Sequence, residues 1–212
     1  SCRAAAGRLA NSRLSPETLE FMADDMIAFS SSVSGSAVFP AEMGGEHVGA
    51  VLYTNFAGES DEELEAVMEK VAELSEELMP LDVLVVDDPT LRRNVEEAHE
   101  ALHMCVETRT KRFDESNAAV PPAKLAEYIG ELRACAEELG LTLHLFGHAG
   151  DGNVHAYVYN DEVSDEEFTS RTEAFMERNY RKCIELGGAV SAEHGIGRGK
   201  KRYLGEKVGD GC

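Results

Sequence analysis

Phe146-Gly147-His148-Ala149-Gly150-Asp151-Gly152-Asn153-Val154-His155 lies between apolar, strand-forming residues, and its centre is made of small and polar ones. Asp-Gly is a favoured pair for a two-residue type I′ hairpin turn, because both central positions take positive φ. With Asp151 and Gly152 as the turn, His148 falls directly opposite His155, Phe146 opposite Tyr157 and His144 opposite Tyr159. Opposed Cβ atoms in such a pair stand about 4.5–5.5 Å apart. Two imidazoles at that spacing suit one metal ion, and a metal site needs a third protein ligand from elsewhere. Ser191-Ala192-Glu193-His194-Gly195-Ile196-Gly197 offers one: Glu193 as a ligand and His194 as a base, between small residues that allow a sharp turn.

Working outward, the chain alternates strands and helices. Pro16 to Phe29 is apolar at helical spacing, and the Ser/Gly-rich run from Ser30 to Ser36 reads as a loop. Val48 to Asn55 is rich in strand formers, and Asp61 to Leu78 repeats Leu64, Val67, Met68, Val71, Leu74 and Leu78 at helical spacing, with Ser60 or Asp61 as its cap. Leu81 to Val86 reads as a second strand and Thr90 to Arg109 as a further helix. The second half repeats that order: an extended stretch at Asn117–Pro121, a helix from Pro122 to Leu139, the hairpin, and a helix from Asp165 to Leu186. The fold class expected is α+β, with ferredoxin-like βαβ units forming a mostly antiparallel sheet covered by helices.

Composition narrows the function. Forty acidic against twenty basic residues leave a formal charge of −20, which repels phosphate backbones and argues against nucleic acid as a partner. No apolar run approaches the roughly 18–20 residues of a membrane span, so the default compartment is cytoplasmic. The five cysteines are scattered without a CxxC pair and suggest neither a disulfide framework nor a thiolate zinc site. The Ser1-Cys2-Arg3 start and the turn-like Gly209–Cys212 end read as those of a fragment.

Gly147-His148-Ala-Gly-Asp-Gly-Asn-Val-His155, followed by Glu193-His194-Gly-Ile-Gly197, resembles the signature of the C-terminal domain of FAD-linked oxidases of the vanillyl-alcohol-oxidase type. That group includes D-lactate dehydrogenases, the glycolate oxidase flavin subunit and D-2-hydroxyglutarate dehydrogenase. Leu19–Met22 looks like the opening helix of that domain, Ala118–Pro121 like its strand before the long helix, and Gly197–Leu204 like its closing helix. The resemblance implies that residues 1–45 lead in from a missing FAD-binding half and that residues 46–212 form a substrate- and metal-binding cap, truncated at its C-terminus. It implies a 2-hydroxyacid substrate, FAD bound mainly by the other half, and a divalent metal, zinc by preference, on His148, His155 and Glu193. His194 would take the hydroxyl proton as hydride passes to the flavin. An electron-transfer flavoprotein or an iron–sulfur subunit is the partner implied, and through it a peripheral place at a membrane.

The substrate's carboxylate clamp is not legible. No basic residue aligns in the helix at Thr90–Arg109, where His99 stands nearest, and Lys111 and Arg112 are the closest basic candidates, with plain surface charge as their other reading. Asn153 is either a substrate or flavin contact or a turn residue. The basic cluster Arg198-Lys200-Lys201-Arg202 either attracts an anion or is a solvated helix face. Two further readings use the same residues: a metal-dependent hydrolase on the two histidines and Glu193, or a non-catalytic ferredoxin-like binding module with structural histidines.

Overall fold

In the computed structural model, which describes residues 16–34 and 39–208 together with Leu9 and Leu14, helices and antiparallel strands form two units, Ser1–Arg109 and Thr110–Cys212. Cys2 and the turn expected at Gly209–Cys212 lie outside the described residues.

In the first unit, β1 (Thr18–Ala23) pairs antiparallel with β4 (Ala50–Asn55), from Thr18 opposite Asn55 to Ala23 opposite Ala50. The opening helix expected at Leu19–Met22 is therefore a strand. Five consecutive residues from Leu19 to Ala23 are buried, the pattern of a strand covered on both faces. Helix α1 (Asp24–Ser34) follows and carries through Ser30 to Ser34 of the run read as a loop, whose end at Ser36 lies outside the described residues, with Ser30 and Ser32 returning their hydroxyls to the carbonyls of Ile27 and Phe29. A short hairpin of β2 (Glu42–Met43) and β3 (Glu46–His47) precedes β4. Helix α2 (Asp61–Leu78) has the expected bounds, and its cap is Ser60, whose hydroxyl accepts the Glu63 N–H at 3.2 Å.

The strand expected at Leu81–Val86 does not form. The segment has no regular structure, and Leu84 and Val85 are 68% and 58% exposed. Strand propensity reports how well side chains fit a half-buried pleated surface. Leu81–Val86 lies on none in this unit. Helix α3 (Pro89–Arg109) buries Val95, Leu102, Cys105 and Val106.

The second unit follows the ferredoxin-like order. Strand β5 (Asp114–Ala119), helix α4 (Leu125–Glu138), strands β6 (Thr142–His148) and β7 (Asn153–Tyr159), and helix α5 (Asp165–Glu185) succeed one another. β7 lies between β6 and β5, antiparallel to both. Beyond α5 the chain returns to β5 only at a single bridge, Ala189 with Ala119, in the place a fourth strand would take. Helix α6 (Lys201–Val208) closes the described chain. Ser164 caps α5 by accepting the Glu167 N–H at 3.2 Å.

Alternation along these strands divides the sheet into two faces. Ser116, Ala118, Val154, Ala156, Val158 and Leu145 are buried on the face packed by α4 and α5. There Asn179 donates to the Ser116 hydroxyl and the Tyr128 hydroxyl donates to Asn179, a buried polar chain with partners at each step. Glu115, Asn117, His155, Tyr157 and Phe146 take the other face.

The hairpin register differs from expectation by two residues. Phe146 pairs with His155, His144 with Tyr157 and Thr142 with Tyr159. The type I′ turn does not form because Asp151 keeps a negative φ, and Met79 is the only non-glycine with positive φ among the described residues. Instead Asp151 accepts the Asn153 N–H through its side chain at 3.0 Å, an Asx turn, and the loop lengthens to residues 149–152. A shift of two preserves which face each side chain takes. His148 and His155 therefore still share a face, as diagonal neighbours with ring centroids 5.5 Å apart.

Gly152 is required for a reason beyond the turn. Its φ is +77°, and a Cβ there would stand 1.8 Å from the Val120 carbonyl oxygen, because Val120 N–H donates to Gly152 O at 3.0 Å across that close approach. Gly152→Ala should destabilise the protein by about 2 kcal/mol or more. Gly44→Ala, at φ +61° with open space around it, should cost about 1 kcal/mol. Urea denaturation of the two variants checks the contrast; equal losses would mean that the backbone approach is not tight.

Burial pushes the Tyr180 phenol up to about 12, against a hydrogen bond with Ser116 that lowers it. A raised folded-state value means stability that is complete below the ordinary tyrosine range near pH 10 and lost as pH rises toward 12, since the unfolded chain releases its proton first. Alkaline unfolding should show this loss, and Tyr180→Phe should remove about 2–3 kcal/mol of it.

Candidate metal and substrate site

Asn117, on β5 opposite His155, organises the site. Its side-chain oxygen accepts the backbone N–H groups of Ala192, Glu193 and His194 at 3.0, 3.2 and 3.4 Å. Its amide nitrogen donates to Asn153 Oδ1 at 3.1 Å and lies 3.4 Å from His155 Nδ1. The segment after Ala189 thus curls around one buried amide. Ser191 closes the curl by donating its hydroxyl to Gly195 O at 2.7 Å, and Gly195 and Gly197 both take positive φ, as their positions in the motif require.

That curl carries Glu193 and His194 to the hairpin histidines. Glu193 Oε1 lies 3.0 Å from His155 Nε2, 3.3 Å from His148 Nε2 and 3.7 Å from His194 Nε2. Asn153, fully buried, donates its side-chain amide to the same oxygen at 3.2 Å. Three imidazole nitrogens therefore converge on one carboxylate oxygen. His155 is buried against Phe146, whose ring stacks on it at 5.0 Å, while His148, Glu193 and His194 are the more accessible members. Opening on one side with a buried anchor on the other is the form of a site that receives a ligand.

The donor set fits a divalent ion. His148, His155 and Glu193 each offer one ligand atom, all within 4.8 Å of one another. Metal–nitrogen and metal–oxygen bonds of about 2.0–2.2 Å place tetrahedral neighbours about 3.3–3.6 Å apart, close to the 3.3 and 3.0 Å between Glu193 Oε1 and the Nε2 atoms of His148 and His155. Mixed nitrogen and oxygen ligation suits zinc and also accepts manganese, iron or cobalt.

Glu115 is a residue that sequence reading missed. It sits on β5 opposite Tyr157, and its Oε1 lies 3.2 Å from His155 Nδ1 and 3.1 Å from His194 Nδ1. With those histidines it forms a second potential ligand group. Burial pushes its carboxyl up, but the His155 hydrogen bond and the charges of His194 and His155, with a hydrogen bond from Tyr157, outweigh burial and hold it below the usual range. Asn117 was read only as the start of an extended stretch, and the strand in fact begins three residues earlier. Asp114 to Asn117 are all polar, so no alternation in the sequence singles out Glu115 and Asn117, and only the sheet register puts the two on one face.

Lys200, from the basic cluster, reaches the site's edge. Its ammonium donates to the Asn117 carbonyl at 3.0 Å and lies 5.9 Å from the Tyr180 ring centre. Burial pushes it below its usual range, against the opposing pull of Glu115. Lys111 and Arg112 are not brought there. Lys111 bonds Asp161 through its backbone and side chain, and Arg112 pairs with Asp165 at 2.6 Å, donates to the Asn160 and Val163 carbonyls and covers the Phe168 ring. Both tie the segment before β5 to the connection between β7 and α5. His99 belongs to the first unit, 3.9 Å from Glu20.

The second unit thus gives one sheet face to helices and the other to a histidine–carboxylate cluster. The chain belongs to the family described as FAD linked oxidases, C-terminal domain, whose profile matches residues 1–211. It is 37% identical over 196 residues to a D-lactate dehydrogenase of Anaerostipes hadrus, covering 92% of this chain and 41% of that protein. A D-lactate dehydrogenase of Archaeoglobus fulgidus is 31% identical over 195 residues, 92% of this chain and 40% of its own length. Glycolate oxidase subunit GlcD of Bacillus subtilis is 36% identical over 92 residues, 43% of this chain and 19% of its own. The chain thus spans about two fifths of the length of the dehydrogenases it matches most fully. Among solved structures, 4-ethylphenol oxidase from Gulosibacter chungangensis shares the fold at a TM-score of 0.51 and 11% identity, covering 87% of this chain and 40% of that one. Among the described residues no helix is long and apolar enough to cross a membrane.

Asn117→Ala removes the acceptor of three N–H groups, each costing about 1–3 kcal/mol when left without a partner. Hydrogen exchange at Ala192, Glu193 and His194 should accelerate at least tenfold while the amides of β6 and β7 keep their protection. Uniform acceleration throughout the second unit would show that Asn117 supports the fold at large and not this curl.

Proposed function

We propose that this chain is the substrate- and metal-binding domain of an FAD-dependent D-2-hydroxyacid dehydrogenase of the D-lactate or glycolate type. The observation that carries the proposal is the convergence of the His148, His155 and His194 Nε2 atoms on Glu193. Family membership supports the flavin-linked reading over a metal-dependent hydrolase or a plain binding module, which would draw on the same side chains. FAD, held by the remainder of the full-length protein, supplies the hydride acceptor, and a divalent ion on His148, His155 and Glu193 supplies Lewis acidity toward the substrate hydroxyl.

The chain's own residues then have separate tasks. His148 and His155, on a rigid hairpin, and Glu193, on the curl around Asn117, orient the carboxylate and hydroxyl of the acid. His194 Nε2 takes the hydroxyl proton as the Cα hydrogen leaves with its electron pair, and a 2-oxoacid results. Asn153 holds Glu193 in place. Lys200, beside the site, and the neighbouring basic residues offset part of the chain's −20 charge where an anionic substrate approaches. An electron-transfer flavoprotein or iron–sulfur subunit receives the electrons.

The test uses the full-length protein with a dye acceptor and D-lactate, L-lactate and glycolate as substrates. The expected outcome is oxidation of D-lactate or glycolate that a chelator abolishes and a divalent metal restores. His148→Ala with His155→Ala should lose the roughly one bound equivalent of metal. His194→Gln should keep the metal and lose about 10²–10⁴ in kcat. Undiminished turnover after metal removal, or no oxidation of any 2-hydroxyacid, would sink the proposal.

A further inference from the structure

Glu115 touches His155 and His194 through one oxygen, and through the same ring position, Nδ1, of each: 3.2 Å to His155 and 3.1 Å to His194. A carboxylate only accepts, so each Nδ1 aimed at it carries the hydrogen. In the neutral form, the one that ligates a metal, an imidazole with its hydrogen on Nδ1 has a bare lone pair on Nε2. Both Nε2 atoms face Glu193 Oε1, at 3.0 and 3.7 Å. We infer that Glu115 is a positioning residue that sets one tautomer in two histidines at once, leaving His155 Nε2 free to ligate a metal and His194 Nε2 free to accept a proton. The inference deepens the dehydrogenase reading above and rests on it for the role of His194.

Two features of the site support this assignment. Among the described residues the competitor for His155 Nδ1 is the Asn117 amide nitrogen at 3.4 Å, but that nitrogen already donates to Asn153 at 3.1 Å, and Asn117 Oδ1 is held by three backbone N–H groups, so the amide cannot turn over. The Glu115 contact is shorter and charge-assisted, about twice as strong as a neutral bond. The second feature is opposition of lone pairs. A bare Nε2 facing a carboxylate oxygen at 3.0 Å is repulsive unless positive charge lies between them, and a divalent ion turns that repulsion into two ligand bonds. A carboxylate behind a ligating histidine also raises the basicity of its other nitrogen.

Glu115 also explains how the two halves of the site stay in step. His155 comes from β7 and His194 from the curl 39 positions further along, and their ring centroids lie 5.2 Å apart. Glu115, rising from β5 between them, is the shared acceptor that fixes both ring planes.

The experiment compares the full-length protein with its Glu115→Ala, Glu115→Gln and Glu115→Asp variants, by zinc affinity in competition with a chelating dye, by imidazole nitrogen NMR of zinc-loaded samples, and by kinetics at saturating metal. The parent should show His155 and His194 protonated at Nδ1. Glu115→Ala should weaken zinc about 10–100-fold, scramble the His194 tautomer, and lower kcat tenfold or more with little change in KM. Glu115→Asp should recover part of both losses. Glu115→Gln, matched in size, guards against a variant that simply fails to fold. Unchanged tautomers with zinc affinity within twofold of the parent would overturn the inference. Because zinc affinity and NMR need no substrate, a weakened site in a protein that oxidises no hydroxyacid would keep the tautomer assignment and fail only the dehydrogenase reading.

Discussion

The oxygen of one buried amide, Asn117 Oδ1, accepts three successive backbone N–H groups from Ala192, Glu193 and His194. Everything at the site depends on that arrangement. Among the described residues the curl it holds pairs with a strand only at the Ala119–Ala189 bridge, so its N–H groups need an acceptor from elsewhere. Asn117 is itself anchored on both sides: by the β5–β7 ladder through its backbone and by Asn153 through its amide nitrogen. A carboxylate and a histidine on an irregular segment thereby acquire the positional precision of the sheet, which loops on their own lack.

The sheet divides its work by face. The apolar residues of β5, β6 and β7 meet α4 and α5, and the buried Ser116–Asn179–Tyr128 chain keeps β5 in place from beneath. Directly above stand the polar neighbours of Ser116, Glu115 and Asn117, which reach the histidines. Stacking extends the same rigidity sideways: Phe146 lies parallel to Tyr157 at 5.6 Å and against His155 at 5.0 Å, so the buried imidazole has little freedom to rotate. Positive φ angles near the site fall on glycines 147, 152, 195 and 197, where no Cβ is present to object.

The site was legible in the sequence as far as identity, and less so as geometry. Histidines 148 and 155, Glu193 and His194 were recognisable from residue type and spacing, and the structure brings all four together. The predicted route to that meeting was wrong by two residues. Asp-Gly can serve a type I′ turn, but Gly152 is pressed against the Val120 backbone and Asp151 is engaged with the Asn153 N–H, and neither fact is local enough to be read from a dipeptide. The face survived the error because side chains alternate with period two. Lys111 and Arg112 show the opposite failure. They are the basic residues just before the stretch Asn117–Pro121 in the chain, yet Asp161 and Asp165 draw them to the loop beyond β7.

The amphipathic helices Asp61–Leu78 and Asp165–Glu185, the hairpin, the residue types at the candidate site and the acidic balance were set by the sequence alone, because each rests on periodicity, capping or composition within a short window. Whether Leu19–Met22 is helix or strand, whether Leu81–Val86 finds a ladder, and that Glu115 stands behind two histidines were decided only in three dimensions. A run of apolar residues suits either period until a partner surface chooses. A glutamate on a strand is one acidic residue among forty until the fold places two imidazole nitrogens against it.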